Sequence, residues 1–391
     1  MLARTAMLLI LLAGTAAFAA SKDNVEPWAQ RAAERARSGH AGLPPLPESA
    51  TAKLTPAAVA LGRKIFFDRR LSLNGTISCG MCHVPEQAFA NNELATAVGF
   101  EGRTVKRNSP TLINIGALQV LFHDGRDEAL ETQFVGPLVA ANEMANPSVG
   151  QVVMRLRSLP DYAGMFEKAF GAPASLDSIG ASLAAYQRSL VGGPSRFDRW
   201  RYLGESDALS EEERRGFALF TGKAGCAQCH TIAERHALLT DQRFHDTGYL
   251  WRREQQRQWP ESAELVEVVP GVSYQLSRAL IDSVGETRPS DLGRYEVTLD
   301  PADSWKLRTP SLRNVALTSP YMHDGGLRTL ADVVAFYDRG GEQHDGQSPH
   351  VRPLGLTDEE SRALVAFLGT LTSSGLDELA REARVAPPDN W

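Results

Sequence analysis

The chain has 391 residues, and its 41 lysine and arginine residues against 47 aspartate and glutamate residues give a formal net charge of −6 at pH 7. This mildly acidic balance argues against a protein that binds nucleic acid. The length is sufficient for two domains. After the N-terminal segment, no stretch approaches the roughly 18 uninterrupted apolar residues that a membrane-spanning helix needs.

The N-terminus has the pattern of an export signal. A single basic residue, Arg4, precedes the apolar run of residues 7–12, and small residues follow up to the Ala-Phe-Ala of residues 17–19. A charged region, a short apolar region and an Ala-x-Ala pattern are typical of a signal peptide rather than of a membrane anchor. We therefore expect residues 1–19 to be a signal peptide and the mature protein to be periplasmic, with no membrane span.

Two five-residue motifs contain all four cysteines. Residues 79–83 read Cys-Gly-Met-Cys-His, and residues 226–230 read Cys-Ala-Gln-Cys-His. In a c-type haem site, the two thiols of a C-x-x-C-H motif form thioether bonds to the haem and the histidine binds its iron. A redox pair or a zinc site would leave the histidine unexplained. The motifs predict two covalent c-type haems, held by Cys79, Cys82, His83, Cys226, Cys229 and His230.

Other segments also occur twice along the chain. The similar pairs are residues 60–67 and 215–220, residues 107–114 and 308–314, and residues 121–125 and 321–325. We interpret them as an internal duplication and predict a mostly α-helical fold of two cytochrome c-like domains, residues 20–193 and 194–391. The breaker cluster at residues 192–195 marks the boundary, and capping patterns predict helices that begin after Ser210 and Thr357.

The C-terminal half has an insertion at residues 250–300, between its haem motif and its His-Asp-Gly turn. The insertion is rich in arginine, glutamate and glutamine, and it contains Trp251 and Trp259. It is either a solvated excursion or a surface for a partner. We favour the solvated excursion.

The face of each haem opposite its histidine determines what the iron does, because an open sixth position permits reaction with peroxide and a filled one favours electron transfer. In the first half, Glu143 is the candidate base for peroxide cleavage and Gln133 the candidate hydrogen-bonding side chain. Each is otherwise an ordinary surface residue. In the second half, Tyr337 and Met322 are both candidate sixth ligands, and Tyr337 is otherwise a core residue.

Together these residues resemble the bacterial di-haem cytochrome c peroxidase and MauG superfamily over nearly the whole mature chain. The resemblance rests on the two C-x-x-C-H motifs, residues 107–111, residues 122–126, Gln133 with Glu143, and residues 319–325. It implies a peroxidatic N-terminal haem, with Glu143 and Gln133 on its distal side, and a six-coordinate C-terminal haem. It also implies a calcium ion bound by the side chain of Asn108 and the backbone carbonyls of Thr318 and Pro320.

The chain departs from the superfamily's peroxidases at three places. Tyr337 stands where classical peroxidases have methionine and MauG-like members have tyrosine, which favours the MauG-like branch. Residues 84–107 contain no histidine that could block the first iron, so we expect that iron to be open. His123 replaces the usual tryptophan between the haems, and it is either a relay between the irons or a structural copy of His323.

The leading hypothesis is a MauG-like oxidoreductase. It would react with hydrogen peroxide at the first haem, share the oxidising equivalents with the second haem, and oxidise a substrate such as a protein side chain. The alternative is a peroxidase that reduces hydrogen peroxide to water with electrons from a small cytochrome or a cupredoxin. A second alternative is a non-enzymatic di-haem electron carrier.

Overall fold

The computed structural model describes residues 26–258, 263–269, 272–277, 280 and 290–385, and the expected signal peptide and Trp259 lie outside these residues. The described chain is mostly helical, as the sequence predicted. None of its helices combines the length and the apolar character needed to cross a membrane. The helices are α1 (Pro27–Ser38), α2 (Glu48–Thr51), α3 (Pro56–Phe67), α4 (Cys79–Cys82), α5 (Leu130–Gln133), α6 (Val135–Val139), α7 (Val149–Ser158), α8 (Met165–Phe170), α9 (Leu176–Ser189), α10 (Arg196–Tyr202), α11 (Glu211–Thr221), α12 (Tyr249–Gln258), α13 (Tyr295–Thr298), α14 (Leu330–Asp338), α15 (Asp358–Gly369) and α16 (Leu376–Arg384).

The strands of the described chain form two small antiparallel ladders. β1 (Phe244–His245) pairs with β4 (Leu307–Arg308), and β2 (Ala263–Val269) pairs with β3 (Val272–Ser277). In these registers Phe244 lies opposite Arg308, and Ala263 lies opposite Ser277. The first ladder joins the segments on either side of the insertion, and the second is a hairpin within it. The hydrophobic cores are therefore built from helices.

Reciprocal side-chain caps fix where α11 and α15 begin. The Ser210 hydroxyl accepts a hydrogen bond from the Glu213 N–H at 3.3 Å, and the Glu213 carboxylate accepts one from the Ser210 N–H at 2.8 Å. Thr357 and Glu360 make the same pair of bonds at the start of α15, at 3.2 and 2.8 Å. Each reciprocal cap satisfies two backbone N–H groups that would otherwise be unpaired at the start of the helix. Both helix starts predicted from the sequence are confirmed.

Two helix crossings depend on a glycine. α3 packs against α9 and α11 packs against α15. A Cβ atom on Gly62 would lie 1.9 Å from the Ser182 carbonyl oxygen, and one on Gly216 would lie 2.0 Å from the Ala363 carbonyl oxygen. Any side chain at these positions would push the helices apart. Each glycine lies four residues before a buried phenylalanine, Phe66 or Phe220, so both halves use the same local arrangement.

The buried apolar residues form two clusters. One contains residues between 28 and 191, and the other contains residues between 197 and 371. The first cluster also includes Leu379 and Ala383 of α16, so the last helix packs on the N-terminal core. Arg63 of α3 fixes that helix, because its guanidinium donates to the Ala383 carbonyl at 2.9 Å. The spacing of apolar residues along the sequence does not predict that the last helix packs on the N-terminal core.

The insertion is not simply a solvated excursion, which corrects our preference. Asp291 is 5% exposed and accepts hydrogen bonds from Arg107 at 2.7 and 2.8 Å. Arg294 donates to the carbonyl oxygens of Asp124 and Gly125 at 2.8 and 2.7 Å. The charged residues in this part of the insertion therefore pair with the N-terminal half instead of facing water. They become buried because each has a partner of opposite charge or a free carbonyl.

A buried ion pair joins the start of the C-terminal half to its later part. Asp198 is fully buried, and its carboxylate accepts from both terminal nitrogens of Arg313 at 2.8 and 2.9 Å. Arg313 also donates to the carbonyls of Gly42 and Ala237, so one side chain links three segments.

We expect Asp198→Asn to lower the free energy of unfolding by about 3 kcal/mol or more, because it leaves the Arg313 charge buried without its counter-charge. Denaturant unfolding of the purified protein measures this. The matched control is Glu205→Gln, which removes an exposed pair with Arg199 at 3.2 Å and should cost less than about 1 kcal/mol. Equal losses in the two variants would contradict the prediction.

Candidate functional site

The first C-x-x-C-H motif lies on one helical turn. Helix α4 carries Cys79 and Cys82, and His83 follows at its C-terminal end. Nδ1 of His83 lies 3.1 Å from the Phe89 carbonyl oxygen and 3.0 Å from the Pro110 carbonyl oxygen. An imidazole whose Nδ1–H is bonded to the backbone leaves its Nε2 for a metal. Burial lowers the pKa of His83, which keeps the ring in the neutral form that binds metals.

The second motif has the same arrangement. Its cysteines lie at the 3-10 turn of Cys226–Gln228, and Nδ1 of His230 lies 2.9 Å from the Leu239 carbonyl oxygen. Burial lowers the pKa of His230, against the opposing effects of backbone bonds to Leu239 and Pro310. Pro310 therefore contacts the second histidine as Pro110 contacts the first. Backbone carbonyls at Nδ1 therefore orient both histidine rings.

The donor groups at both motifs fit covalently bound haem. All four cysteines are unpaired. Burial raises the pKa of Cys79 to about 12 and the pKa of Cys82 and Cys226 to about 11. Reactive, redox-active thiols have a lowered pKa instead. Two neutral thiols and a free imidazole nitrogen on one turn are the groups that a c-type haem needs.

Glu143 lies beside the first motif, in the loop between α6 and α7. Its carbonyl oxygen accepts a hydrogen bond from the Phe100 N–H at 2.9 Å, which holds the loop in place. Burial raises the pKa of the Glu143 carboxyl, and the positive charge of Arg126 opposes that rise. After burial, the charge of Glu143 raises the pKa of Cys82, and it also raises the pKa of Cys79, although there the neighbouring Cys82 thiol has the larger effect. The Glu143 carboxylate is thus close enough to affect the pKa of the two thiols that would hold the first haem.

Gln133 is the last residue of α5 and is partly buried. The backbone N–H of Gln133 donates to the Ala129 carbonyl at 3.0 Å. Among the described residues its side-chain amide makes no hydrogen bond. The contribution of Gln133 to the site stays a prediction.

Tyr337 lies beside the second motif, near the end of α14. Burial raises the pKa of its phenol, and the thiols of Cys226 and Cys229 raise it further. Because such effects decline with distance, the phenol must lie close to these cysteines. Met322 lies instead in the turn before His323, with a left-handed backbone at φ 69°. The Tyr337 phenol therefore lies near the second motif, and the choice between Tyr337 and Met322 as the iron ligand stays a prediction.

His123 lies where the two halves of the chain meet. Its Nε2–H donates to the Asn108 carbonyl at 3.0 Å, and its own carbonyl accepts from the Arg308 N–H at 2.7 Å. Asn108 in turn donates through its N–H to the His323 carbonyl at 2.6 Å. Burial, and then the charge of Arg107, lowers the pKa of His123 to about 4. The ring is therefore neutral at neutral pH, and its Nδ1 is an acceptor.

The three residues expected to bind calcium lie on two neighbouring segments. Asn108 contacts the His323 carbonyl, and Thr318 and Pro320 precede that residue on either side of the cis Ser319–Pro320 peptide. The Asn108 side chain donates through Nδ2 to the Ala95 carbonyl at 2.9 Å, which turns the amide and leaves its oxygen for another partner. One amide oxygen and two carbonyls are hard ligands of the kind that calcium prefers.

Sequence reasoning missed the charge that faces Glu143. Arg126 follows Gly125 directly, whereas a glycine, Gly326, follows Gly325 in the second half. That difference between two otherwise similar turns was the available signal. In the sequence, Arg126 is recognised only as the last residue of the motif at residues 122–126. Its proximity to Glu143 depends on how the loops fold.

A family model for di-haem cytochrome c peroxidases matches residues 56–207 of the chain. The cytochrome-c peroxidase IdrP1 of Denitromonas iodatirespirans is 38% identical over 338 residues, which covers 84% of this chain and 85% of that protein. The methylamine utilization protein MauG of Methylorubrum extorquens is also 38% identical, over 81% of this chain and 79% of that protein.

Solved structures show the same similarity. A MauG-like protein associated with microbial copper homeostasis superposes with a TM-score of 0.66 at 30% identity, over 86% of this chain and 94% of that chain. The diheme peroxidase BthA of Burkholderia thailandensis superposes with a TM-score of 0.64 at 25% identity, over 82% of this chain and 86% of that chain.

Proposed function

The chain belongs to the di-haem cytochrome c peroxidase and MauG family, whose members are peroxide-dependent oxidoreductases with two c-type haems, and we propose that it is a periplasmic enzyme of the MauG type. The first motif would hold the haem that reacts with hydrogen peroxide. The second motif would hold the haem that shares the oxidising equivalents, and the substrate that they would oxidise has a protein side chain as its leading candidate. The chain is then an internal duplication of two cytochrome c-like domains, residues 20–193 and 194–391.

The observation that carries the proposal is an asymmetry between the two motifs. A carboxylate, Glu143, acts on the thiols of the first motif, and a phenol, Tyr337, faces the thiols of the second. The bound haem supplies the iron that takes up oxidising equivalents from peroxide. Glu143 is suited to accept the proton of the bound peroxide and return it to the departing oxygen. Gln133 would orient the peroxide by a hydrogen bond.

In this proposal Tyr337 would hold the iron of the second haem through its phenolic oxygen. A phenolic oxygen is a harder, more anionic ligand than a thioether, and it stabilises the higher oxidation states of a haem iron. A site with this ligand is suited to storing oxidising equivalents, whereas a methionine ligand would favour electron delivery. The choice of Tyr337 over Met322 therefore favours the MauG-like role.

His123 would serve as the relay between the two halves. Its neutral ring bonds to Asn108 and lies beside Arg107 and Arg308, so its free Nδ1 can accept a proton when charge moves past it. The proposed calcium ion would lie nearby, held by the Asn108 side chain and the carbonyls of Thr318 and Pro320. It would then stabilise the contact between the halves.

A second candidate function is a peroxidase that detoxifies hydrogen peroxide with electrons from a small cytochrome or cupredoxin. Similarity to named peroxidases favours it, since IdrP1 is as similar as MauG. The cytochrome c551 peroxidase of Nitrosomonas europaea is also 31% identical over 84% of this chain.

A peroxide assay separates these functions. With the purified di-haem protein, we expect peroxide to change the ferric absorption spectrum within seconds. With reduced cytochrome c as electron donor, we expect turnover well below the roughly 10 per second that is typical of enzymes. Rapid turnover would instead support the peroxidase. A ferric spectrum that does not respond to peroxide would leave only the electron carrier.

A further inference from the structure

Tyr249, the first residue of α12, extends a row of aromatic rings that starts at Tyr337. The Tyr249 ring lies edge to face against the Phe336 ring, with 5.6 Å between the centroids and 82° between the planes. Phe336 is fully buried and makes the same kind of contact with the Tyr337 ring, at 5.1 Å. Three aromatic rings in direct contact therefore lead away from the phenol beside the second motif.

On its other side, Tyr249 reaches the contact between the two halves. Its ring lies edge to face against the His323 ring, at a centroid distance of 5.7 Å. The His323 carbonyl accepts from the Asn108 N–H at 2.6 Å, and Nε2 of His123 lies 3.0 Å from the Asn108 carbonyl oxygen. Tyr249 thus contacts both the aromatic row and the residues that join the halves.

The Tyr249 hydroxyl has a base as its hydrogen-bond partner. It donates to Oδ1 of Asp324 at 3.0 Å, and Nε of Arg253 donates to Oδ2 of the same carboxylate at 2.7 Å. Arg253 is 49% exposed, so the phenol lies one ion pair away from the surface. Tyr202 and Tyr321 of the same half donate to backbone carbonyls, which are far weaker bases. Since an oxidised phenol loses its proton, a carboxylate at hydrogen-bond distance makes its oxidation easier.

The turn of the second half leaves space for this phenol. A Cβ atom on Gly326 would lie 2.1 Å from the Tyr249 hydroxyl oxygen, so a side chain there would displace the ring. The first half has Arg126 at the same position of its turn. Asp124, the counterpart of Asp324, pairs with Arg126 at 3.0 Å. Two similar turns therefore give their carboxylates different partners, an arginine of the same turn in the first half and a phenol in the second.

We propose that Tyr249 is a redox-active residue through which the oxidising equivalents of the second site reach the substrate at the surface. The inference rests on the proposed function and adds to it the residue where the substrate is oxidised. The phenol gives one electron along the aromatic row to the oxidised second site, and its proton moves to Asp324. One electron from the substrate and the proton that Asp324 returns then restore the phenol. Each peroxide reduced to two waters takes up two electrons, so this cycle runs twice.

Two oxidants test the proposal on the purified di-haem protein. Samples frozen after addition of peroxide are examined by electron paramagnetic resonance for a tyrosyl radical. Separately, loss of absorption follows the consumption of hexachloroiridate(IV), a one-electron oxidant of phenols. We expect Tyr249→Phe to abolish the radical signal and to slow the consumption by about tenfold, a part of the hundredfold or more that a positioned base contributes. Asp324→Asn should slow it similarly, because the amide keeps the accepting oxygen but cannot take the proton.

The matched control is Tyr162→Phe. The Tyr162 hydroxyl also donates to a carboxylate, that of Asp68, at 2.9 Å. Tyr162 is 2% exposed, and its ring lies 6.2 Å from that of Phe166 in the N-terminal core, away from the aromatic row. This variant removes the same pair of groups without the path, so both measurements should match the unmodified protein. Equal effects of Tyr162→Phe and Tyr249→Phe would overturn the proposal.

The remaining outcomes separate this proposal from the proposed function. In a protein that reacts with peroxide, a radical signal that is absent, or that persists in Tyr249→Phe, would overturn the proposal and leave the function in place. Consumption of hexachloroiridate(IV) that neither Tyr249→Phe nor Asp324→Asn slows would also overturn it. That measurement requires no peroxide. A protein that ignores peroxide but depends on both residues for this reaction would refute the proposed function and retain Tyr249 as a redox-active residue.

Discussion

Glu143→Gln is expected to slow the reaction of the di-haem protein with hydrogen peroxide by about a hundredfold or more, with both haems still attached. The amide has the shape of the carboxylate but cannot take a proton from the bound peroxide. A hundredfold loss corresponds to about 2.7 kcal/mol in the activation free energy. Stopped-flow absorption at several peroxide concentrations measures the rate, and the haem content of the purified variant shows that attachment is intact.

The control for this variant is Glu128→Gln. Glu128 is an exposed glutamate that follows the turn of residues 121–125. Its replacement makes the same chemical change as Glu143→Gln at a residue with no proposed role. We expect it to react like the unmodified protein. If Glu143→Gln also reacted at the normal rate, the base would have to be another group and the asymmetry between the motifs would lose its meaning.

Tyr337→Phe is expected to abolish the low-spin signal of the second haem in the ferric protein, because the ring stays but the oxygen that would bind the iron is lost. Electron paramagnetic resonance distinguishes the two irons by spin state, so the change should affect one signal and leave the other. The rate of the first reaction with peroxide should change little. Sharing of oxidising equivalents between the haems should be lost.

Tyr321→Phe is the control for the second variant. The Tyr321 hydroxyl donates to the Val315 carbonyl at 3.0 Å, so it has a structural bond within the same half. Its loss should leave both resonance signals in place. An unchanged low-spin signal in Tyr337→Phe would remove this tyrosine as the ligand and make Met322 the next candidate, which Met322→Leu would then test.

The sequence by itself determined the attachment chemistry and the helical character of the protein. Each C-x-x-C-H motif places two thiols and an imidazole on one turn, so the residues that would hold a haem are neighbours along the chain and need no tertiary contact to be recognised. Caps such as Ser210 with Glu213 are local for the same reason, since a helix start depends on residues within one turn. The family could be identified because its motifs are short and contiguous.

The tertiary structure decided which distant side chains meet at each motif. Glu143 lies some sixty residues after Cys82, and only the folded loops bring it to the first motif and bring Arg126 to Glu143. The return of α16 to the first core and the pairing of Asp291 with Arg107 likewise join residues far apart in sequence. Hydrophobic periodicity specifies the face that a helix buries but not its partner. Burial and long-range charge, which set the chemistry of Glu143 and Tyr337, exist only after the chain has packed.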